Sequence, residues 1–228
     1  MVEKLSVGNK NISIYYNEQV NSKTLPVVYF NSFEEDGEKI YDLTDKNYIF
    51  VSISNVDWNR EMSPWFMEKL FKSDSDYTGH ADEYLKELIN NIIPEVEKII
   101  RNIGYNISYS AVCGYSLAGL FSVYAMYKTD CFLKIASCSG SLWYPGFAQF
   151  AKENDFSSKV ETLYFSLGNK EKNTKNELMS KVEEETINLY KYYKSQGIDC
   201  IYEENEGNHF VDVEERIAKG IKYLVKEN

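Results

Sequence analysis

Apolar positions along the chain follow two patterns: short continuous runs, and longer stretches in which they recur every three or four residues. The short runs are rich in β-branched and aromatic residues, which is typical of strands buried on both faces of a sheet. They lie at residues 26–31, 48–54, 109–113, 133–138, 161–167 and 198–202. The periodic stretches predict helices that cover the sheet. They lie at residues 81–101, 117–127, 175–196 and 211–226. This alternation predicts an α/β fold with a mostly parallel central sheet flanked by helices.

Four segments refine this picture. Residues 12–16 are short and β-prone, and they predict an antiparallel strand at the sheet edge. Pro94 should kink or divide the helix over 81–101. The helix over 117–127 is apolar nearly all round, so other elements should cover it. Residues 55–79 lose periodicity over a length too great for a plain connector, which makes them a candidate binding surface.

Composition narrows the class of protein. A chain of 228 residues with 43% hydrophobic content is long enough for one globular domain, which we expect to span residues 1–228. Its formal net charge of −10 disfavours nucleic acid and anionic lipid as partners. The first residues lack a signal-peptide pattern, and no apolar run approaches the roughly 20 residues that span a bilayer. We therefore expect a soluble, cytoplasmic protein with no membrane partner.

The four cysteines show no Cys-x-x-Cys spacing, so neither a disulfide framework nor a zinc site is expected. The chemistry points instead to a serine. Gly114-Tyr-Ser116-Leu-Ala118 resembles the Gly-x-Ser-x-Gly nucleophile elbow, with alanine in the fifth place. The elbow needs small residues because its serine occupies a strained turn against the following helix. Here the pentapeptide follows a predicted strand and opens a predicted helix, as the motif requires.

A serine nucleophile needs an imidazole base, and the chain has only two histidines. In enzymes with this elbow the chain order is serine, acid, histidine. His80 precedes Ser116 and begins a helix, so it favours a cap or loop contact. His209 follows the last predicted strand, where the base is expected. The sequence therefore favours His209.

The acid that orients the imidazole should lie in the loop after the penultimate strand. Glu171 lies a few residues beyond that strand, and Asp155 and Glu177 are alternatives on either side of it. The oxyanion should be bound by two backbone N–H groups. Chain topology predicts the N–H of Leu117 together with that of Ser32 or Phe33.

Several aromatic and polar side chains lie in segments that lead away from strand ends, where they could shape a substrate pocket. These candidates for substrate binding are Trp58, Arg60, Trp65, Tyr115, Trp143 and Tyr144. Partial core burial explains the aromatic residues equally well, and for Arg60 a surface ion pair with Glu61 or Glu68 is the commoner arrangement.

Four segments together resemble the putative esterase family of α/β-hydrolases, which includes esterase D-like enzymes, feruloyl esterases, mycolyltransferases and enterobactin-type siderophore esterases. The segments are residues 114–120, 137–145, 166–171 and 207–210. The resemblance runs over nearly the whole chain and implies an α/β-hydrolase fold without a large lid domain. It also implies Ser116 as nucleophile, Glu171 as acid and His209 as base. Siderophore esterases hold an anionic catecholate with basic side chains, and Arg60 is the only arginine in residues 55–79.

The leading hypothesis is a serine hydrolase that cleaves a small carboxylic ester, such as a siderophore trilactone, through an acyl-enzyme intermediate. This chemistry needs no cofactor and no metal ion. An acyltransferase would use the same three residues. A binding module that retained the fold without activity is the alternative from another class. The sequence does not indicate an oligomeric state.

Overall fold

A computed structural model describes residues 1–33 and 36–226 of the protein. Its centre is an eight-stranded sheet with the spatial order β1-β2-β4-β3-β7-β8-β9-β10. The strands are β1 (Val2–Val7), β2 (Lys10–Tyr15), β3 (Thr24–Asn31), β4 (Ile49–Ser54), β7 (Asn106–Tyr115), β8 (Lys134–Cys138), β9 (Thr162–Gly168) and β10 (Asp199–Asn205). The pairs β1/β2 and β2/β4 are antiparallel. The other six strands of this sheet, in the spatial order β4-β3-β7-β8-β9-β10, are parallel to one another. A separate two-stranded hairpin consists of β5 (Phe66–Met67) and β6 (Tyr77–Thr78).

Helices cover both faces of the sheet. They are α1 (Gly37–Asp42), α2 (Trp58–Glu61), α3 (Ala81–Glu87), α4 (Ile93–Asn102), α5 (Leu117–Ala125), α6 (Phe147–Glu153), α7 (Val182–Ser195) and α8 (Val213–Val225). Helices α1 and α8 pack on one face, and α5 with its neighbours packs on the other. Every residue of α5 is buried, which confirms the prediction drawn from its uniform apolarity.

The predicted strands are all present, with one error at the edge. Residues 12–16 were expected to form the edge strand, but β2 is second in the sheet because β1 pairs outside it. The first ten residues alternate weakly and are mostly exposed, so their sequence carries little burial signal. Pro26 lies inside β3, where the register against β7 shifts between Leu25 and Val27. A proline has no N–H for the ladder, so an irregularity at this point is expected.

The helix predictions need two corrections, and a third prediction, the division near Pro94, is confirmed. Helices α1, α2 and α6 were not predicted, because each has only four to seven residues and little periodicity. Helix α7 begins at Val182 rather than near Lys175, after a 3₁₀ turn at Met179–Lys181. The helix expected over 81–101 is divided by a π-helical turn at Leu88–Ile92, directly before Pro94. The proline ring would collide with the carbonyl four residues earlier in an α-helix, and the wider turn relieves this.

A buried ion pair connects the first part of residues 55–79, the segment without periodicity, to the sheet. Lys10 in β2 is fully buried, and its Nζ lies 2.9 Å from the carboxylate of Glu61 at the end of α2. The other acceptor is Asn9 Oδ1 at 3.0 Å, and the ammonium lies 5.5 Å from the ring centre of Tyr84. Glu61 also accepts the backbone N–H of Asp57 at 2.9 Å. This pair therefore fixes the position of α2.

Replacing Lys10 with methionine should strongly destabilise the protein, because the Glu61 carboxylate would stay buried without its cation. We expect a loss of about 3–5 kcal/mol in the free energy of unfolding, measured by urea denaturation. The control is Arg101→Met, which breaks an exposed pair with Glu97 (3.2 Å) and should cost at most about 1 kcal/mol. Equal losses in the two variants would contradict the structural role given to Lys10.

Candidate active site

Ser116 occupies a strained turn between β7 and α5. Its backbone has φ 57° and ψ −122°, and residues other than glycine rarely adopt a conformation with positive φ. A Cβ at Gly114 would lie 2.1 Å from the carbonyl oxygen of Ala118, so only glycine fits there. Backbone bonds from Ser116 N–H to Cys138 O (3.2 Å) and from Ser141 N–H to Ser116 O (2.9 Å) support the turn. The geometry is that of the predicted elbow, with the serine at its tip.

Ser116, His209 and Glu171 are joined by a continuous chain of hydrogen-bond contacts. Nε2 of His209 lies 3.1 Å from Oγ of Ser116, and Nδ1 lies 2.7 Å from Oε2 of Glu171. These side chains follow β7, β10 and β9, parallel strands whose carboxyl ends lie at the same edge of the sheet. The imidazole can accept the serine proton at one nitrogen while the carboxylate holds the other.

Glu171 is almost completely buried and is held by several donors. Its Oε1 accepts hydrogen bonds from Ser139 Oγ and from the Gly168 N–H, both at 2.7 Å. Burial acts to raise the pKa of Glu171, but the hydrogen bonds from His209, Ser139 and Gly168, with the attraction of His209, outweigh it. The pKa of Glu171 is therefore below its usual value. The side chain is a carboxylate at neutral pH.

A fourth residue, Arg216 of α8, completes the surroundings of Glu171. Its side chain is 1% exposed, and Nη1 lies 3.0 Å from Oε1 of Glu171. The same nitrogen contacts Ser139 Oγ (3.2 Å) and Tyr115 OH (3.3 Å), and Nη2 donates to Glu206 O at 2.7 Å. One guanidinium thus ties together the ends of β7, β8, β9 and β10.

Sequence reasoning missed Arg216, although the sequence contains a signal for it. The buried positions of α8 are residues 216, 217, 218, 220, 221 and 224, so the arginine lies on the apolar face of an amphipathic helix. A charged residue on such a face indicates a buried partner. Ser139, which directly follows β8, contacts both Glu171 and Arg216.

Tyr115, the neighbour of Ser116, contacts the loop that carries His209. Its hydroxyl donates to the carbonyl of His209 at 2.8 Å, and the two rings lie 5.2 Å apart. Burial raises the pKa of Tyr115 to about 12, so the phenol keeps its proton and remains a donor. Asn169 adds a second tie, because its Oδ1 accepts the N–H of Gly207 at 3.0 Å.

Two backbone N–H groups were expected to bind an oxyanion, that of Leu117 and that of either Ser32 or Phe33. The Ser32 N–H donates to Ile53 O at 2.8 Å as part of the sheet, so the expectation for Ser32 is wrong. Leu117 is the first residue of α5, and N–H groups in a first helical turn have no acceptor within the helix. Phe33 then remains as the second candidate donor.

Two clefts meet at Ser116 and His209. The larger has a volume of about 490 Å³ and is bordered by β3, α1 and α8. The smaller, of about 220 Å³, extends toward the β5/β6 hairpin and the start of α7. Trp58 and Phe210 stand between them and line both.

The predicted pocket residues fall into two groups. Trp58 lines both clefts, Tyr115 lines the larger and Trp143 the smaller. The structure does not bring the other three to these clefts. Trp65 donates to Pro145 O and packs among aromatic rings, and the hydroxyl of the buried Tyr144 donates to Trp65 O. Arg60 forms an ion pair with Glu83 at 2.9 Å and lines a separate small cavity.

The alternative acids and the second histidine lie elsewhere. Asp155 and Glu177 are exposed, whereas Glu171 contacts His209 directly. The ring Nδ1 of His80 contacts Thr78 Oγ1 at 3.1 Å, and the backbone N–H of His80 donates to the backbone carbonyl of Arg60. Within residues 1–33 and 36–226, no three His, Cys, Asp or Glu side chains are grouped as metal ligands would be. No helix in the same ranges has the length and apolarity needed to cross a membrane.

The family described as Putative esterase matches residues 11–212 of the chain. The chain belongs to this family. It is a carboxylic ester hydrolase, and the predicted α/β-hydrolase fold without a large lid is confirmed.

Curated and solved proteins are similar to this chain over nearly its whole length. The esterase is 23% identical over 235 residues to the uncharacterized protein YbbA of Bacillus subtilis (strain 168). This alignment covers 96% of the present chain and 90% of YbbA. The siderophore hydrolase EstB of Aspergillus nidulans has a TM-score of 0.71 at 16% identity, with 99% of this chain and 94% of EstB covered. The enterobactin hydrolase IroE, solved in complex with DFP, has a TM-score of 0.68 at 17% identity, with 100% and 95% covered.

Arg216→Met should weaken the fold, because it leaves the Glu171 carboxylate and the Glu206 carbonyl without their buried donor. We expect a loss of about 3–5 kcal/mol in the free energy of unfolding, measured in urea. Lys219→Met on the same helix is the control; its side chain is about half exposed and should cost at most about 1 kcal/mol. A loss in Arg216→Met no larger than in this control would contradict the role given to the guanidinium.

The lowered pKa of Glu171 makes part of the stability depend on pH. Interactions of a carboxylate with a depressed pKa contribute fully above the usual value of 4.5 and are lost as pH falls through the folded-state pKa. Glu171→Gln should therefore be less stable than the native chain at neutral pH, with a gap that narrows below about pH 4.5. Urea unfolding across this pH range measures the gap. The exposed Glu177→Gln is the control, and a gap that widens in acid would contradict the assignment.

Proposed function

We propose that the protein is a serine esterase in which Ser116 is the nucleophile, His209 the general base and acid, and Glu171 the residue that orients the imidazole. The observation that carries the proposal is the uninterrupted contact from Ser116 Oγ through His209 to Glu171, at 3.1 and 2.7 Å. The strained, glycine-dependent turn at Ser116 supports it independently.

In the proposed acylation step, Ser116 Oγ attacks the ester carbonyl carbon while its proton passes to His209 Nε2. Glu171 stabilises the imidazolium that forms and remains a carboxylate. The N–H groups of Leu117 and Phe33 are proposed to bind the oxyanion of the tetrahedral intermediate. The intermediate then collapses, the bond to the alcohol oxygen breaks, and His209 transfers its proton to the departing alkoxide.

Deacylation repeats these movements with water. His209 removes a proton from a water molecule, whose oxygen attacks the acyl carbon of the ester on Ser116. The second tetrahedral intermediate releases the carboxylic acid, and the proton on His209 returns to Ser116 Oγ. Both clefts open beside Ser116 and His209, so acyl and alcohol groups can extend in different directions.

The size of the clefts supports a small ester as substrate. Siderophore hydrolases share the fold at 16–17% identity, and a siderophore trilactone is one candidate of this class. Its catecholate groups, however, are anionic, and Arg60 is turned away from the clefts to Glu83. We therefore propose ester hydrolysis as the function and leave the siderophore as one substrate to be compared.

Ser116→Ala and His209→Ala should each lower kcat for a p-nitrophenyl butyrate substrate by at least about 10³-fold, because the nucleophile or its base is lost. A fluorophosphonate probe should label the native chain at Ser116 and fail to label Ser116→Ala.

His80→Ala is the matched control, since it removes the other histidine at a site that contacts Thr78 and keeps Ser116 and His209 intact. It should retain native activity and labelling. A folded Ser116→Ala variant with undiminished turnover would disprove the proposed mechanism. Absence of both turnover and labelling in the native chain would favour a binding module.

A further inference from the structure

The larger cleft has a wall of exposed aromatic rings. Phe33 and Phe210 are 72% and 84% exposed, although both line the cleft beside Ser116. Trp58 stands edge-on to Phe33, with ring centres 5.2 Å apart and an interplanar angle of 83°. Large apolar side chains left in water at the mouth of a cleft are typical of a surface that a ligand covers.

The charges in this cleft are predominantly negative. Asp36 and Glu214 both contribute carboxylates to the lining, and Asp36 accepts a hydrogen bond from the Ser32 hydroxyl. Among the described lining residues, Lys39 is the one Lys or Arg. Its side chain is 76% exposed, and its Nζ lies 3.8 Å from Glu214 Oε1, so the pairing is weak. The cleft therefore has a net negative charge.

Two arginines near the site do not change this balance. Arg216 is 1% exposed and directs its guanidinium to Glu171 and neighbouring acceptors behind the site. Arg60 pairs with Glu83 and lines a different cavity. An anionic substituent in the larger cleft would thus approach the carboxylates of Asp36 and Glu214, and Lys39 is the one lysine or arginine among the described residues of the lining.

We infer that the larger cleft takes an alkylammonium group of the ester substrate, with aromatic faces around the cation and carboxylates beside it. Both kinds of group attract a substituted ammonium ion, the rings through their quadrupoles and the carboxylates through their charge. The net charge of −10 on the whole chain favours the approach of a cation in the same direction. The inference rests on the proposed function, because Ser116 and His209 line this cleft.

The test compares esters that differ only in charge. In the first pair, butyrylthiocholine is compared with its neutral isostere, in which a carbon atom replaces the quaternary nitrogen. In the second pair the cation is on the acyl side, as the p-nitrophenyl ester of trimethylammoniobutyrate, again with its carbon isostere. The p-nitrophenyl monoester of glutaric acid supplies an anionic acyl group, and p-nitrophenyl butyrate serves as the general esterase substrate.

At low ionic strength, kcat/KM for the cationic member of at least one pair should exceed that of its isostere by about tenfold. The preferred pair identifies whether the alcohol or the acyl group carries the cation. The anionic ester should be the poorest of the acyl series, and added salt should reduce the preference for the cation.

Variants separate the cleft from the overall charge. Glu214→Gln should reduce the cation-to-neutral ratio about threefold or more, and Trp58→Leu should reduce it similarly. Glu215→Gln makes the same change of charge at the next position of α8, on an exposed residue outside the cleft lining. It should leave the ratio unchanged.

Equal or faster hydrolysis of both neutral isosteres would overturn the inference while leaving the esterase proposal intact. Turnover of p-nitrophenyl butyrate without turnover of either cationic ester would do the same. Equal effects of Glu214→Gln and Glu215→Gln would show that overall charge, rather than this cleft, sets the preference. Failure of every ester, together with no fluorophosphonate labelling, would instead contradict the proposed function itself.

Discussion

The geometry of the site depends on the buried ion pair between Glu171 and Arg216. A guanidinium has five N–H donors in one plane, so its contacts fix direction as well as distance. Here Nη1 and Nη2 reach Tyr115, Ser139, Glu171 and Glu206, which end or follow four adjacent strands. The arginine belongs to helix α8, which packs against β7, β8 and β9. The relative positions of serine, carboxylate and imidazole are therefore determined by a residue that contacts neither the serine nor the imidazole.

The elbow at Ser116 is the second constraint, and it acts through the backbone. A left-handed conformation at a serine costs of order 1–3 kcal/mol, so it persists only where the surroundings enforce it. The close approach of Gly114 to Ala118, and the backbone bonds to Cys138 and Ser141, provide that enforcement. With the loop of His209 held by Tyr115, Oγ and Nε2 are in hydrogen-bond contact without any rearrangement. The fold thus holds Ser116 and His209 in contact in the absence of a ligand.

The sequence predicted those parts of the site that depend on local order along the chain. Ser116, Glu171 and His209 each follow a strand of a parallel sheet, so strand ends and chain order were enough to bring them together. The roles of Trp58 and Trp65 could not be separated in this way, because both lie in one irregular segment and only packing distinguishes them. The N–H of Ser32 was misjudged for the same reason: its acceptor, Ile53, belongs to a strand about 20 residues further along.

The residues that determine the fold and the residues that border the larger cleft lie in different parts of the chain. The fold is shared with siderophore hydrolases at 16–17% identity, which shows that the architecture tolerates extensive substitution. The charged and exposed aromatic residues that border the larger cleft come from the connections after β3, β4 and β10 and from the first turn of α8. These segments carry little of the core, so their charge can change without loss of the fold. A cleft with two carboxylates and an exposed lysine is therefore a property of this chain, and it directs the search for substrates toward neutral and cationic esters.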